Sequence, residues 1–546
     1  MRPLSLRRKA MASISKSLSF EAALPTILIT AAIWLFYTII TFGRREKSLP
    51  PGPPTIPILG NAHLMPTQGF SRQLVAWRKE YGSVYSLKVG RSTMVVLNDR
   101  RAIHELLTKQ GACYNDRPED THFIIANKDE NPATMKEGPK WRATRKVIAN
   151  YFSPKNLDST LKPIQEAEVN RLMFDLLTKP EEFSTSIKRT TASIASITLF
   201  GHRAPDFDSF WAYAVYIVME AVSKGAAPGS YLPVDQFPIL KLLPDRFIMG
   251  RQRAKDLYAT MTGVWNDARE RIDKRRSAGD KRESLMDRFL DGDIKSDVPL
   301  SYSGLNNLLG GVHMAAADTT AIAMLTTILF LAKHPEFQEK ARVELDRVCG
   351  TDRMPQWSDF NDLPYVNCIV KEGLRIRPIS PAGVPHAAKE DRWYNGMLIP
   401  AGSAIFIPPS TLNFDEAFTA DPDSYNPDRY LHQAHMLAPE LSASPQYEER
   451  DHYSYGAGRR MCAGIHLAER SQWRMVAQML WAFRIEPDIG SDGKPVEVKT
   501  GLDVYEEGFL HVPHEFNVRM VPRSDKHADV VTKSFKKTES DLKKWE

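Results

Sequence analysis

Near the C-terminal end of this 546-residue chain, one thiol sits among glycines and arginines: Tyr-Gly-Ala-Gly-Arg-Arg-Met-Cys-Ala-Gly, Tyr455 to Gly464. Glycines let the backbone turn tightly and bring amide N–H groups toward the sulfur of Cys462. Those donors, with Arg459 and Arg460, favour the thiolate, the form of cysteine that ligates metal. A helical pattern from Ile465 to Trp481 follows, and its N-terminal dipole acts the same way. A second chemical pair lies in Ala315 to Thr320, where Asp318 and Thr319 interrupt a long apolar run. A carboxyl beside a hydroxyl in apolar surroundings costs free energy unless water or a ligand meets it, and the three alanines before it leave room for a flat ligand. Plainer readings exist: a glycine-rich turn with an incidental cysteine, and polar side chains that merely bond their own helix.

Other spacings gain meaning beside these. Trp141 and Arg145 are four apart on a basic helical stretch, Lys140 to Ile148, and share a face; Arg142 and Lys146 share the next one. Glu372 and Arg375 stand one turn apart on a helix from Asp362 to Arg375, and Arg429 lies downstream in Asn-Pro-Asp-Arg-Tyr. Taken singly, each pattern also fits a solvated helix face, and a lone His386 fits a satisfied core histidine.

The ordered set resembles the cytochrome P-450 family. Gly458, Arg460, Cys462 and Gly464 fill its haem-loop pattern, with Tyr455 for the usual Phe. Ala315 to Thr320 is similar to its oxygen-binding motif, with Ala316 where Gly is usual, and Tyr430 replaces a Phe after Arg429. The resemblance implies a mainly α fold with small β-sheets and haem b bound through Cys462 as axial iron ligand. It implies that Arg460, Trp141, Arg145 and His386 hold propionates, that Asp318 and Thr319 deliver protons, and that Glu372, Arg375 and Arg429 form a buried structural triad. The implied reaction is insertion of one oxygen atom from O2 into a lipophilic small molecule. Electrons would come from NADPH through a partner, NADPH–cytochrome P-450 reductase, with cytochrome b5 as a second candidate donor; no nucleotide-binding G-x-G-x-x-G follows a strand here. The run Pro385 to Gly402 looks most like fungal members of specialised metabolism. Two rivals share these features: a haem-thiolate isomerase or dehydratase that needs no reductase, and a non-catalytic haem- or lipid-binding membrane protein.

Several elements must position these groups. Helices are expected at Phe70 to Tyr81, Arg101 to Gln110, across most of residues 160–290 except a Pro/Gly break from Gly225 to Pro244, and from Ser301 to Leu331. Strands are expected at Val84 to Leu87, Met94 to Leu97 and Ile379 to His386, with turns at Tyr394-Asn395-Gly396 and Ile399 to Gly402. Tyr114 to Pro139 reads as a long irregular connection. The front divides into a lead (1–21), an apolar span (22–42) long enough to cross a bilayer, and a proline-rich hinge (43–60). The body is expected at 61–523 and a loose polar tail at 524–546.

The resemblance implies an endoplasmic reticulum anchor, single-pass, with the body in the cytosol. The basic residues Arg2, Arg7, Arg8, Lys9 and Lys16 ahead of the span argue the opposite orientation, unless translation begins at Met11. Cys113, Cys349, Cys368 and Cys462 form no C-x-x-C pair, which removes zinc sites of that type. A net charge of +6 spread among interspersed acids and bases carries no nucleic-acid signature.

Overall fold

The computed structural model describes residues 25–226 and 232–546. The lead at 1–21, the start of the expected span, Met11 and Pro228 lie outside the described residues. Helix α1 (Pro25–Thr41) is a 17-residue apolar rod, about 26 Å long at helical rise. After the proline-rich segment come α2 (Phe70–Tyr81), the hairpin β1 (Val84–Val89) and β2 (Ser92–Leu97), and α3 (Arg100–Ile103). The single helix expected at Arg101 to Gln110 changes character: α3 is capped by the Asp99 carboxylate and passes into a wider π-helical turn at His104–Lys109. Within the stretch expected to be irregular lies α4 (Thr121–Asn127), which Asp120 caps through the amides of His122 and Phe123. It is too short for periodicity to reveal.

The middle of the chain supplies α5 (Pro139–Tyr151), α6 (Pro154–Asn156), α7 (Lys162–Thr178), α8 (Phe183–Phe200), α9 (Phe210–Ala226), α10 (Met249–Ser277) and α11 (Leu285–Asp291). The central helix α12 (Tyr302–Lys333) has the length and hydropathy of a membrane span, but 83% of its apolar window is buried against the helices around it. It is a core helix, apolar all round because protein covers all sides. Its packing against α10 depends on Gly310, where a Cβ would lie 2.2 Å from the Trp265 ring. The indole fills the place of a side chain. Helices α13 (Pro335–Cys349) and α14 (Pro364–Ile376) continue the core.

The expected strand from Ile379 to His386 shrinks to β3 (His386–Ala387). Pro381 and Pro385 have no N–H to donate to a ladder, so pairing begins only after them. Strand β4 (Arg392–Tyr394) turns into β5 (Met397–Ile399) through Asn395 and Gly396, both at positive φ, as the Asn-Gly pair suggests. Strand β6 (Ala404–Phe406) then pairs parallel with β2 and antiparallel with β3, giving a four-stranded sheet ordered β1-β2-β6-β3. His386 faces Ile405 across that edge.

Short helices α15 (Pro409–Leu412) and α16 (Ala438–Ala443) lead to the cysteine loop and α17 (Ile465–Ala482), followed by the pair β7 (Phe483–Pro487) and β8 (Val518–Pro522). The expected loose tail is corrected: residues 525–543 form a helix, α18 (Asp525–Lys543). Its few apolar residues fall on one face, where His527, Val531, Phe535 and Leu542 are buried against the body. Phe535 stacks on Phe174 of α7 at 4.6 Å between ring centroids, and Glu546 pairs with Arg203. Overall polarity hid an amphipathic helix.

Candidate active site

Cys462 follows a one-turn helix at Gly458–Arg460 and precedes α17. Gly458 has φ +63°, and a Cβ there would lie 2.4 Å from the Leu107 carbonyl oxygen. Only glycine lets the loop press this closely on the preceding structure. The loop is closed by the Cys462 N–H donating to the Tyr455 carbonyl at 2.9 Å.

Burial pushes the thiol up from its ordinary range, while the Gly464 amide and Arg145 pull it back without winning. A bound metal cation is what would tip the balance. The cation nearest in effect is Arg145 of α5, which also donates to the Met461 carbonyl. Arg460, expected beside the sulfur, reaches away to other partners.

Although set deep in the protein, Cys462 is accessible. On α12 the same holds for Ala315, which is exposed while Met314 and Ala317 on either side are buried. Cys462 and Ala315 are thus both accessible, each beside half-buried neighbours, Met461 and Ala463 for the thiol and Ala316 on α12. Thr319 lies one turn from Ala315, and its hydroxyl donates to the Ala315 carbonyl at 2.6 Å, the backbone bond that the plainer reading foresaw.

Asp318 turns toward another quarter. Burial, with Glu506 adding to it and Lys188 opposing, pushes its carboxyl up to about 6. Tyr216 of α9 feels its charge. Adjacent in sequence, Asp318 and Thr319 thus face different surroundings about 100° apart round the helix.

A cluster of cations lies at one edge of the site. Arg460 stacks over the Trp141 ring at 3.9 Å and donates to the carbonyls of Asn115 (2.8 Å) and Met135 (2.9 Å). Buried Arg117 donates to Ala133, Val384 and Pro385 carbonyls. Burial, then Arg460 and Arg145, bring Arg117 down to about 9. Burial also lowers Arg460 to about 10, with Asp116 offsetting part and Arg145 adding to it.

His386 joins them, with Nδ1 at 2.9 Å from the Tyr114 carbonyl. A carbonyl only accepts, so Nδ1 carries the proton and Nε2 is bare. Burial and Arg117 hold this imidazole down at about 3, so it is neutral here and faces the cluster as an acceptor. Its expected salt link to a carboxylate would need a proton that the anion itself must induce.

Arg117 was missed in the sequence. It sits in the segment that looked irregular, and only the fold brings it to Arg460. Burial lowers all three guanidiniums; Arg145 also lowers Arg117 and Arg460, and Asp116 offsets part of this at both. An accessible thiol, a flat-sided helix and such a cluster fit an iron porphyrin, with the metal at Cys462 and the carboxylates at the arginines.

The structural triad assembles as expected. Glu372 takes a bidentate pair from Arg375 (2.7 and 2.8 Å), a contact from Arg429 at 3.1 Å and the Asn426 N–H at 2.8 Å. Arg375 spends its remaining donors on the carbonyls of Asn413, Pro422 and Ser424. Glu372 and Arg375 are buried and Arg429 half-buried, and Glu372 is saturated with donors, which suits holding rather than reacting. A surface cleft of about 360 Å³ lies elsewhere, between α5 and the segment after α11. Arg142 and Lys146, on the neighbouring face of α5, pair with Glu137 and Asp297.

A fold of helices round one core helix that carries an Asp-Thr pair, with an accessible cysteine in a glycine-rich loop ahead of a second buried helix, fits the haem-thiolate class. The cytochrome P450 family model matches residues 50–512. Over 508 residues the chain is 37% identical to cytochrome P450 monooxygenase macC of Penicillium terrestre, covering 91% of this chain and 94% of the relative. It is 38% identical over 509 residues to monooxygenase yanC of Aspergillus niger, with the same coverage, and 34% identical over 536 residues to monooxygenase atE of Aspergillus terreus, covering 97% and 98%. The chain belongs to the cytochrome P450 family, and its enzyme class is that of the P450 monooxygenases.

Proposed function

We propose that this chain is a membrane-anchored haem-thiolate monooxygenase that oxidises a lipophilic small molecule of fungal specialised metabolism. The observation that carries this is the accessible Cys462 thiol, deep in the protein beside a cluster of three arginines whose guanidiniums burial lowers. When bound, haem b would supply oxygen binding and two-electron oxidation of the substrate. Cys462 would ligate the iron, and Arg117, Arg145 and Arg460 would receive the propionates, with Trp141 holding Arg460 flat. Asp318, whose carboxyl burial pushes up to about 6, and the Thr319 hydroxyl would deliver protons to the site. To relay them, Thr319 must give up its bond to Ala315.

Electrons come from an NADPH-dependent reductase. The Arg142–Glu137 and Lys146–Asp297 pairs leave Arg142 and Lys146 largely exposed, so an acidic partner can compete for these cations at little cost. Cytochrome b5 would dock by the same chemistry.

Membrane attachment is supported by two apolar surfaces. Ile27, Leu28, Ile33, Trp34 and Phe36 of α1 are exposed. A second group, Ile56, Ile58, Leu59, Ile239, Leu242 and Phe247, is exposed on the body, and Phe42 meets Phe237 at 6.1 Å, joining the two. One bilayer covering both would remove the whole patch from water. This reading puts the body on the cytosolic face of the endoplasmic reticulum, with translation starting at Met11. Finding Met1 or Arg2 at the native N-terminus would refute that start.

The deciding experiment is the carbon monoxide difference spectrum of the reduced protein, followed by turnover with O2 and reductase. A red-shifted carbonyl band with oxygen- and reductase-dependent product supports the proposal. Product formed without either would favour the isomerase reading.

A further inference from the structure

The cleft between α5 and the segment after α11 shares no lining residue with the cysteine loop or the arginine cluster. It holds about 360 Å³, within the range of about 300–1,000 Å³ usual for small-molecule sites. Helical spacing builds one wall. Ala143, Val147 and Tyr151 recur every four residues on α5 and form a buried apolar stripe, to which Ile294 adds from the far segment. Tyr151 is fixed in place by its hydroxyl, which donates to the Thr198 carbonyl of α8 at 2.8 Å. Trp141 and Arg145, on another face of α5, meet Arg460 and Met461. One helix thus serves the cysteine loop with one face and the cleft with another.

The other wall is short of negative charge. Arg288 of α11 brings a half-buried guanidinium to the cleft. The arginines around it all have carboxylates: Arg275 and Arg276 hold Asp287 at 2.7 and 2.8 Å, Arg276 and Lys281 share Asp291, and Arg282 holds Asp280 at 2.7 Å. Among the described residues the Arg288 guanidinium has no hydrogen-bonded or ion-paired partner, and neither has the Lys295 ammonium. Two acids also line the cleft. Asp297 is taken by Lys146 at 3.0 Å, and Asp293 forms no ion pair with Arg288 or Lys295. Lys146, Arg288 and Lys295 against Asp293 and Asp297 leave one positive charge in excess. A guanidinium partly withdrawn from water beside an apolar stripe, without a counter-ion, is a recognition element for an anion that carries an apolar body.

We propose that this cleft binds a small organic monoanion, a carboxylate or sulfonate on a flat apolar body, with Arg288 taking the charged group and the Ala143–Val147–Tyr151 stripe taking the body. The site goes beyond the oxidation reaction and does not use the haem. A planar guanidinium matches two oxygens of one group, so it selects a carboxylate or sulfonate over a point-like ion. An uncharged molecule of the same shape keeps the apolar contact and loses the ion pair. A second negative charge on the ligand finds no second buried cation and meets Asp293 instead. Lys295 is exposed, so it adds less than Arg288. A bound anion joins α5 to the segment after α11, a gap that the exposed Lys146–Asp297 pair already spans.

The test uses the full-length protein in uncharged phospholipid nanodiscs and titrates 2-naphthalenesulfonate by calorimetry, with empty nanodiscs subtracted and 2-naphthalenemethanol as the uncharged counterpart. Wild type should bind the sulfonate with Kd below about 1 mM. Arg288→Gln should weaken binding about tenfold or more, and the alcohol should bind wild type about tenfold less tightly than the sulfonate. Lys295→Gln, an exposed change with little risk to folding, should cost about two- to threefold. On adding the sulfonate, hydrogen exchange of the 285–297 amides should slow in wild type and stay unchanged in Arg288→Gln, whose thermal melt checks that it is folded. Absence of binding by wild type up to about 5 mM would overturn the site. An equal Kd in wild type and Arg288→Gln would overturn it too, because the sulfonate would then lodge elsewhere, the oxidation chamber included.

Discussion

Arg460 lies over the indole of Trp141, its guanidinium carbon 3.9 Å from the ring centroid, although the two are 319 positions apart in the chain. The stack fixes the plane of the guanidinium and leaves its edges to face the Asn115 and Met135 carbonyls and the anion site. Lysine keeps the charge but neither the plane nor the fork. Arg460→Lys should lower haem affinity about tenfold, read as faster haem transfer to an apo-globin acceptor.

Arg117 should matter equally, despite lying in a stretch with no legible motif. Arg117→Ala removes a buried cation together with its bonds to Ala133, Val384 and Pro385. A loss of about 2 kcal/mol in haem binding, roughly thirtyfold, is expected from one charge-assisted partner. The ratio of Soret to protein absorbance after purification is the measurement.

Cys462→Ser should retain the fold and lose the red-shifted carbonyl band, because an alcohol oxygen does not replace thiolate sulfur in donating charge to iron. A retained band at the wild-type position would overturn the ligand assignment.

Asp318 makes a prediction in which stability and activity part company. Burial raises its carboxyl from an ordinary 3.8 to about 6, so the native state binds the proton more tightly than the unfolded chain. The neutral form's advantage is present below about pH 4 and lost as pH rises through 6, at a cost of up to about 3 kcal/mol. Asp318→Asn should therefore be more stable than wild type at pH 7.5, with less pH dependence between 4 and 6 in thermal melts. Turnover should fall about tenfold or more through loss of the proton donor.

Phe535→Ala tests the terminal helix. It deletes a buried ring stacked on Phe174, and about 3 kcal/mol of stability should go with it, read by denaturant unfolding. A change below 0.5 kcal/mol, of the size typical for surface sites, would return residues 524–546 to the status of a loose tail.

The sequence exposed those parts of the site that depend on close neighbours. Gly458 to Gly464, Asp318–Thr319, Glu372–Arg375 and the Asn395–Gly396 turn are each set by a few adjacent residues, and each appears where spacing put it. What could not be read was made by tertiary contact. Arg117 acquires meaning only when β3 and the Cys462 loop bring Val384 and Arg460 beside it. Arg288 carried no motif, because the α5 residues across its cleft, Ala143, Val147 and Tyr151, are more than a hundred positions away. The thiol's state also depended on burial, which local motifs do not show. The helix at 525–543 was masked by its lysines, although Val531, Phe535 and Leu542 already shared a face.

Trp265 seated against Gly310 has a mechanical meaning. An indole pinned on bare backbone cannot slide a full turn along α12 without colliding with the side chains on either side. The long helix α10 is therefore free only to rock about that point. Any widening of the chamber must come from swinging parts distant from this fulcrum, and replacing Gly310 with alanine should throw the two helices out of register rather than simply stiffen them.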